Sequence, residues 1–196
     1  MLYSLLPTGT YSFPGSTTCS LKIQTDVGNG GLFALQVQGH LTYVSAIYQS
    51  PAVMGNGSLL DTNQQFQYLA STMQIYHPTS GLCLDDGGNE IQGTSSYAAI
   101  LSFTACDSNS INQQFIFTTG NQIYNPNWPN NQVCLNGNGH DFTFDGYTFP
   151  YQELILWYCD PNDTNERFNV ILVCNPGSTS GCIVILIDSS LSLGIR

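Results

Sequence analysis

Positive charge is nearly absent from this chain. Lys22, Arg167 and Arg196 are its three basic residues against 13 acidic ones, for a formal net charge of −10 over 196 residues. A surface this anionic repels phosphate backbones instead of releasing their counterions, so nucleic acid is not expected as a partner. Charged residues of either sign make up only 8%, so the surface must be kept wet by Asn, Gln, Ser, Thr and Gly, or by attached sugars. Long apolar runs are missing too. The longest, Ile183 to Ile187, has five residues, far too few to cross a bilayer, and no membrane span is expected. No stretch carries a sustained helical period, which argues against helical folds. His40, His77 and His140 have no nucleophile motif beside them, and no paired carboxylates stand out, so the chain is not expected to be an enzyme. The loop Asp85-Asp86-Gly87-Gly88-Asn89-Glu90 is acidic but lacks the ligand spacing of an EF-hand and reads as a solvated turn. Neither a metal nor a cofactor is expected.

What is present is a 42% hydrophobic chain, enough for one domain with one core. Apolar and polar residues alternate in Phe33-Ala34-Leu35-Gln36-Val37-Gln38, and β-branched and aromatic stretches recur at Leu41 to Tyr48, Leu101 to Phe103 and Leu154 to Trp157. These predict strands. Between them lie Gly- and Asn-rich clusters, such as Val27 to Gly31 and Asn136 to Gly139, that suit tight turns. An all-β fold follows. Seven cysteines, set at matching places in two parts of the chain, read as a disulfide framework made in an oxidising compartment, so the protein is expected to be extracellular. Met1 to Leu6 is too short for a secretory h-region, and the chain is read as the mature form. Asn56-Gly57-Ser58 and Asn162-Asp163-Thr164 fit the N-glycosylation pattern, making Asn56 and Asn162 candidate acceptors.

A phrase repeats three times. A proline stands five residues before a cysteine in Pro14/Ser16/Cys19, Pro78/Ser80/Cys83 and Pro129/Asn131/Cys134. Each unit closes on a matching phrase: Asn63-Gln64-Gln65-Phe66, Asn112-Gln113-Gln114-Phe115 and Asn165-Glu166-Arg167-Phe168. The closing phenylalanines are 49 and 53 residues apart. A period of this size means units that cannot bury their apolar faces alone and together close one core, with Phe66, Phe115 and Phe168 in it.

The second unit reads Cys83-Leu84-Asp85, then Leu101 to Cys106, then the closing phrase; the third reads Cys134-Leu135-Asn136, then Leu154 to Cys159, then its own. This pattern resembles the ricin-type lectin family, and the resemblance implies a β-trefoil over residues 1–172, with repeats at about 10–66, 67–115 and 116–172. The first repeat is degraded, because Gly57 stands where the others have Cys106 and Cys159, and its length from Cys19 implies an insertion of about 15 residues. In such proteins an Asp after the first Cys and the Asn of the closing phrase hold sugar hydroxyls, and an aromatic residue two before the second Cys carries the sugar ring. The resemblance thus gives Leu21, Gly55 and Asn63 in the first repeat, which is read as dead. It gives Asp85, Thr104 and Asn112 in the second, and Asn136, Trp157 and Asn165 in the third. Other readings stay open: Trp157 as a packing tryptophan, Asn112 and Asn165 as turn-tying amides.

Matching positions predict disulfides Cys83–Cys106 and Cys134–Cys159. Cys19, Cys174 and Cys182 then share one bond, with Cys174–Cys182 preferred on proximity. Residues 173–196 form a tail that echoes the opening Pro14 to Cys19 and carries an apolar strand, Ile183 to Ile187, suited to docking on a sheet edge. Two functions are expected from these features. One is a secreted carbohydrate-binding protein whose partners are glycans. The alternative is a structural subunit of an extracellular filament or matrix, in which the tail of one copy docks head-to-tail on the next.

Overall fold

In the computed structural model of the chain, the described residues are 9–10, 20–21, 31–87, 99–118, 120–128, 133–137, 141–144 and 147–173. The elements are strands: β1 (Gly9–Thr10), β2 (Ser20–Leu21), β3 (Phe33–Val37), β4 (Tyr43–Ser45), β5 (Val53–Gly55), β6 (Gln67–Leu69), β7 (Gln74–His77), β8 (Leu82–Asp85), β9 (Ala99–Ile100), β10 (Ser102–Ala105), β11 (Ile116–Phe117), β12 (Ile123–Tyr124), β13 (Val133–Asn136), β14 (Asp141–Phe144), β15 (Tyr147–Glu153), β16 (Ile155–Tyr158) and β17 (Phe168–Leu172). Three single-turn 3-10 segments, Thr62–Gln64, Ile111–Gln113 and Thr164–Glu166, each begin one residue before a closing phrase and run into it.

The strands recur in sets of four. After each closing phrase a first strand pairs with a second: β6 with β7, β11 with β12, and β17 with β3, the last pair joining the third unit to the first. The second pairs with a third (β7–β8, β12–β13, β3–β4), and the third with a fourth (β8–β10, β13–β16, β4–β5). The three units meet in a ring of backbone hydrogen bonds: Ala52 N–H to Leu101 O (2.7 Å), Leu101 N–H to Leu154 O (3.1 Å) and Leu154 N–H to Ala52 O (2.9 Å). Each of these residues stands just before the fourth strand of its unit. The phenylalanines of the closing phrases, Phe66, Phe115 and Phe168, are buried with Phe33 in a single core cluster, because one short unit has too little apolar surface to cover them alone. This is the β-trefoil that the resemblance implies.

The strand register corrects the reading of the first unit. Tyr43 pairs with Gly55 as Cys83 pairs with Thr104 and Cys134 with Trp157. The place of the first cysteine is therefore taken by Tyr43, not Cys19, and the place of Asp85 by Ser45, not Leu21. The insertion disappears with it: Tyr43 precedes Phe66 by 23 residues, fewer than the 32 and 34 that separate Cys83 from Phe115 and Cys134 from Phe168. Proline-to-cysteine spacing marks a turn before a strand and recurs wherever one is needed, whereas register is fixed by which side chains face the core. Gly57 does stand at the position of the second cysteine. A Cβ there would overlap the Tyr43 ring and Gln64 Oε1, so the ring lies in the space that a disulfide fills elsewhere. In the other two units the expected bonds Cys83–Cys106 and Cys134–Cys159 are formed.

Between β13 and β16 the third unit carries the hairpin β14–β15, which pairs onto β5 and extends that sheet to six strands. Cys19, Cys182, Cys174 and residues 174–196 lie outside the described residues, and so does the expected docking of the tail. Among the described residues, no helix is long and apolar enough to cross a membrane.

Candidate functional site

Cross-strand partners point to the same face of a sheet. Asp85 faces Ser102, and Cys83 faces Thr104, so all four share one face of β8–β10; Asn136, Ile155, Cys134 and Trp157 likewise share one face of β13–β16. In β16 and the residue before it, Leu154 and Leu156 join the core cluster while Ile155 and Trp157 do not. Trp157 is half-buried and faces away from the barrel interior. Trp128, in contrast, packs against the core and donates its indole N–H to Asp86 Oδ2 at 3.0 Å.

In the second unit the polar residues are brought together. Asp85 Oδ2 accepts from the Thr104 hydroxyl (2.8 Å) and from Gln113 Nε2 (2.9 Å), and its Oδ1 accepts from Gly87 N–H (2.6 Å). Gln113 is buried, and its Oε1 takes hydrogen bonds from Asp107 N–H (2.8 Å) and Gln74 Nε2 (2.7 Å). Asn112 accepts on Oδ1 from Asn127 Nδ2 (2.7 Å) and ties the Asn125 amide through its carbonyl (3.1 Å). The aromatic position is Thr104, which the carboxylate has drawn into the network.

The third unit holds the same geometry with the charges exchanged. Glu166, fully buried, stands where Gln113 does, and its Oε2 accepts from Asp160 N–H (2.7 Å) and Gln122 Nε2 (3.0 Å). Asn136 stands where Asp85 does and donates its amide to Asp163 Oδ2 (3.0 Å) and Glu166 Oε1 (3.5 Å). Carboxylate over amide has become amide over carboxylate. Burial raises the Glu166 carboxyl to about 7; its hydrogen bonds from Asp160 N–H, Asn136 and Gln122 pull the other way, and the nearby Asp163 charge adds to the rise. Asn165 is held from both sides. Its carbonyl accepts from Gly137 N–H (2.9 Å), and its side-chain amide lies so close to Gly39 that a Cβ there would overlap it. Among the described residues that amide has no hydrogen-bond partner.

The first unit offers Ser45, Gly55 and Asn63. Asp61 Oδ1 takes both the backbone N–H and the side-chain amide of Asn63 (3.0 Å each), so that amide is spent. Buried Gln64 lacks its partner at Oε1, because Ala34 occupies the strand position that Gln74 and Gln122 fill. His77 is a buried strut between repeats. Its Nε2 donates to Thr62 O (2.9 Å), Ser80 Oγ lies 2.7 Å from Nδ1, and burial lowers its pKa, keeping it neutral. Both sequon asparagines, Asn56 and Asn162, are exposed. Sequence reasoning missed Gln113, Glu166 and Asp163. The signal for Gln113 and Glu166 was a covariation between units: Asp85 goes with Gln113, and Asn136 with Glu166.

No family model matches the chain, and no curated protein does. Solved structures do. A non-toxic homologue of type II RIPs from Momordica charantia (bitter gourd), solved with α-methyl-D-galactoside, matches at 13% identity and a TM-score of 0.52 over 71% of this chain, which spans 47% of that longer one. The β-trefoil lectin of the Vibrio vulnificus hemolysin/cytolysin, with N-acetyl-D-lactosamine bound, matches at 12% identity and a TM-score of 0.51, covering 74% of this chain and 97% of the other. ThreeFoil, a designed three-fold symmetric protein, matches at 14% identity and a TM-score of 0.53, covering 71% and 97%. At these identities the likeness concerns the fold, and it places the chain among β-trefoils.

Proposed function

We propose that this protein is an extracellular, lectin-like carbohydrate-binding protein whose principal pocket is formed by Trp157, Asn165 and Asn136, with a weaker one at Asp85 and Asn112. The observation that carries the reading is the placement of Trp157. It leaves the core that its neighbours Leu154 and Leu156 join, and shares a sheet face with Asn136; the closing-phrase amide of Asn165 has no hydrogen-bond partner among the described residues. An indole face supplies apolar area for a sugar ring, and polar groups beside it satisfy the hydroxyls. The sugars held by the bitter-gourd and Vibrio β-trefoils support the class of ligand. Two disulfides suit an oxidising compartment, and the exposure of Asn56 and Asn162 supports reading them as glycan acceptors. The filament reading rests on sequence alone: the eroded sites, the apolar strand within residues 174–196 and the odd cysteine count.

A glycan array followed by calorimetry on the Trp157→Ala variant tests the reading. Binding should fall below detection while the folded state persists, since the indole is outside the core. Unchanged binding, or collapse of the fold, would make Trp157 a packing residue.

A further inference from the structure

We propose that Asp163 supplies the acceptor carboxylate of the third pocket, in the role that Asp85 has in the second, with Asn136 as the residue that positions it. The inference rests on the sugar-binding reading above and adds a residue to it.

Three positions matter in each unit: the end of the third strand, the residue that caps the closing turn, and the second residue of the closing phrase. In the second unit they are Asp85, Ser110 and Gln113, with a single carboxylate on the strand. In the third they are Asn136, Asp163 and Glu166, with two carboxylates and none on the strand. The Asn136 amide lies between the two, 3.0 Å from Asp163 Oδ2 and 3.5 Å from Glu166 Oε1. Glu166 is fully buried and takes donors from Asp160 and Gln122, so it belongs to the interior. Asp163 is half-buried, which makes it the carboxylate of the pair that a ligand can reach.

The first unit shows what the same aspartate does without this arrangement. Asp61 folds onto Asn63 and takes both its backbone and its side-chain N–H. Asp163 Oδ1 keeps the backbone N–H of Asn165 (2.8 Å), but Oδ2 turns to Asn136, and the Asn165 amide has no partner among the described residues. A carboxylate acceptor and an amide donor then sit side by side in one turn, the pairing that two adjacent sugar hydroxyls require. Asn136 is a neutral amide and offers no charged acceptor in place of Asp85; with its N–H groups on the two carboxylates it holds Asp163 in place.

The test is calorimetric titration of the full chain with N-acetyllactosamine. Asp163→Asn keeps a competent turn cap and removes the charge. Its affinity should fall roughly tenfold, the difference between hydrogen bonds to charged and neutral acceptors. The triple variant Asp163→Ser, Asn136→Asp, Glu166→Gln reproduces the set of the second unit and should recover most of that loss, which a purely structural role for Asp163 would not allow. If Asp163→Asn binds within twofold of the parent while Trp157→Ala abolishes binding, the pocket stands and the assignment of Asp163 fails. Failure of the triple variant to recover also overturns the assignment. If neither single variant changes binding, the sugar-binding reading of this pocket is itself wrong.

Discussion

Replacing Glu166 by glutamine should make the stability of this protein less sensitive to pH, in a direction the structure fixes. Below pH 4.5 folded and unfolded chains both carry the Glu166 proton, so its ionisation costs nothing. Between pH 4.5 and about 7 the unfolded chain releases the proton and the folded chain retains it, which favours unfolding. The stability associated with the protonated form is thus complete below pH 4.5 and lost as pH rises through about 7. The gap between the two values converts to about 3 kcal/mol at pH 8. Glutamine removes that cost, since Gln113 fills the equivalent place and Oε1 can take the Asp160 and Gln122 bonds. It introduces another, because Asn136 must turn its amide away from Asp163 to accept from the new N–H, a loss of about 1 kcal/mol. Glu166→Gln should therefore be level with the parent or slightly weaker at pH 4, and about 2 kcal/mol more stable at pH 8. Urea denaturation at a series of pH values reads this directly. A difference between the two proteins that does not change with pH, or a parent that is the more stable at pH 8, would refute the buried-carboxylate argument.

Three further outcomes are expected. Tyr43→Cys with Gly57→Cys places cysteines where the other units have Cys83–Cys106 and Cys134–Cys159; a third disulfide should form, seen by peptide mapping, and add about 3 kcal/mol. Failure of these two to join would undo the corrected register of the first unit. Replacing Cys83 and Cys106 together by alanine opens a loop with a sequence separation of 23 residues and should cost about 3 kcal/mol in denaturant unfolding; no loss would show that the loop is held by packing alone. Gly57→Ala drives a methyl into the Tyr43 ring and Gln64 and should cost about 1 to 3 kcal/mol, with the thermal midpoint as readout, whereas a neutral effect would mean the ring is free to move aside.

Much of the fold was legible because three-fold recurrence is written in residues the core demands. Phe66, Phe115 and Phe168 mark the same buried place, and the cysteine pairs mark two sheets, so a three-part core and two disulfides follow from spacing, while the trefoil follows from the family resemblance. The first unit misled for a physical reason. Its cysteine was read through a proline-led turn phrase, which any strand entry can carry, while the true equivalents, Tyr43 and Ser45, share no chemistry with Cys83 and Asp85. They are recognisable only once Tyr43 is seen opposite Gly55. The candidate pocket was legible one residue at a time and not as a network. Asn136 reads as a lost carboxylate until Glu166 and Asp163 are seen on either side of its amide, and hydrogen bonds between residues 27 and 30 positions apart leave no periodic trace.

The chain has two tryptophans, Trp128 packed against the core and Trp157 outside it, which permits one decisive measurement. In a nitrogen-15 NMR titration with N-acetyllactosamine, the Trp157 indole and the Asn165 side-chain amide should shift in a saturable way while the Trp128 indole stays in place. Saturable binding that leaves Trp157 and Asn165 unmoved, or shifts confined to Trp128 and the core, would contradict the account.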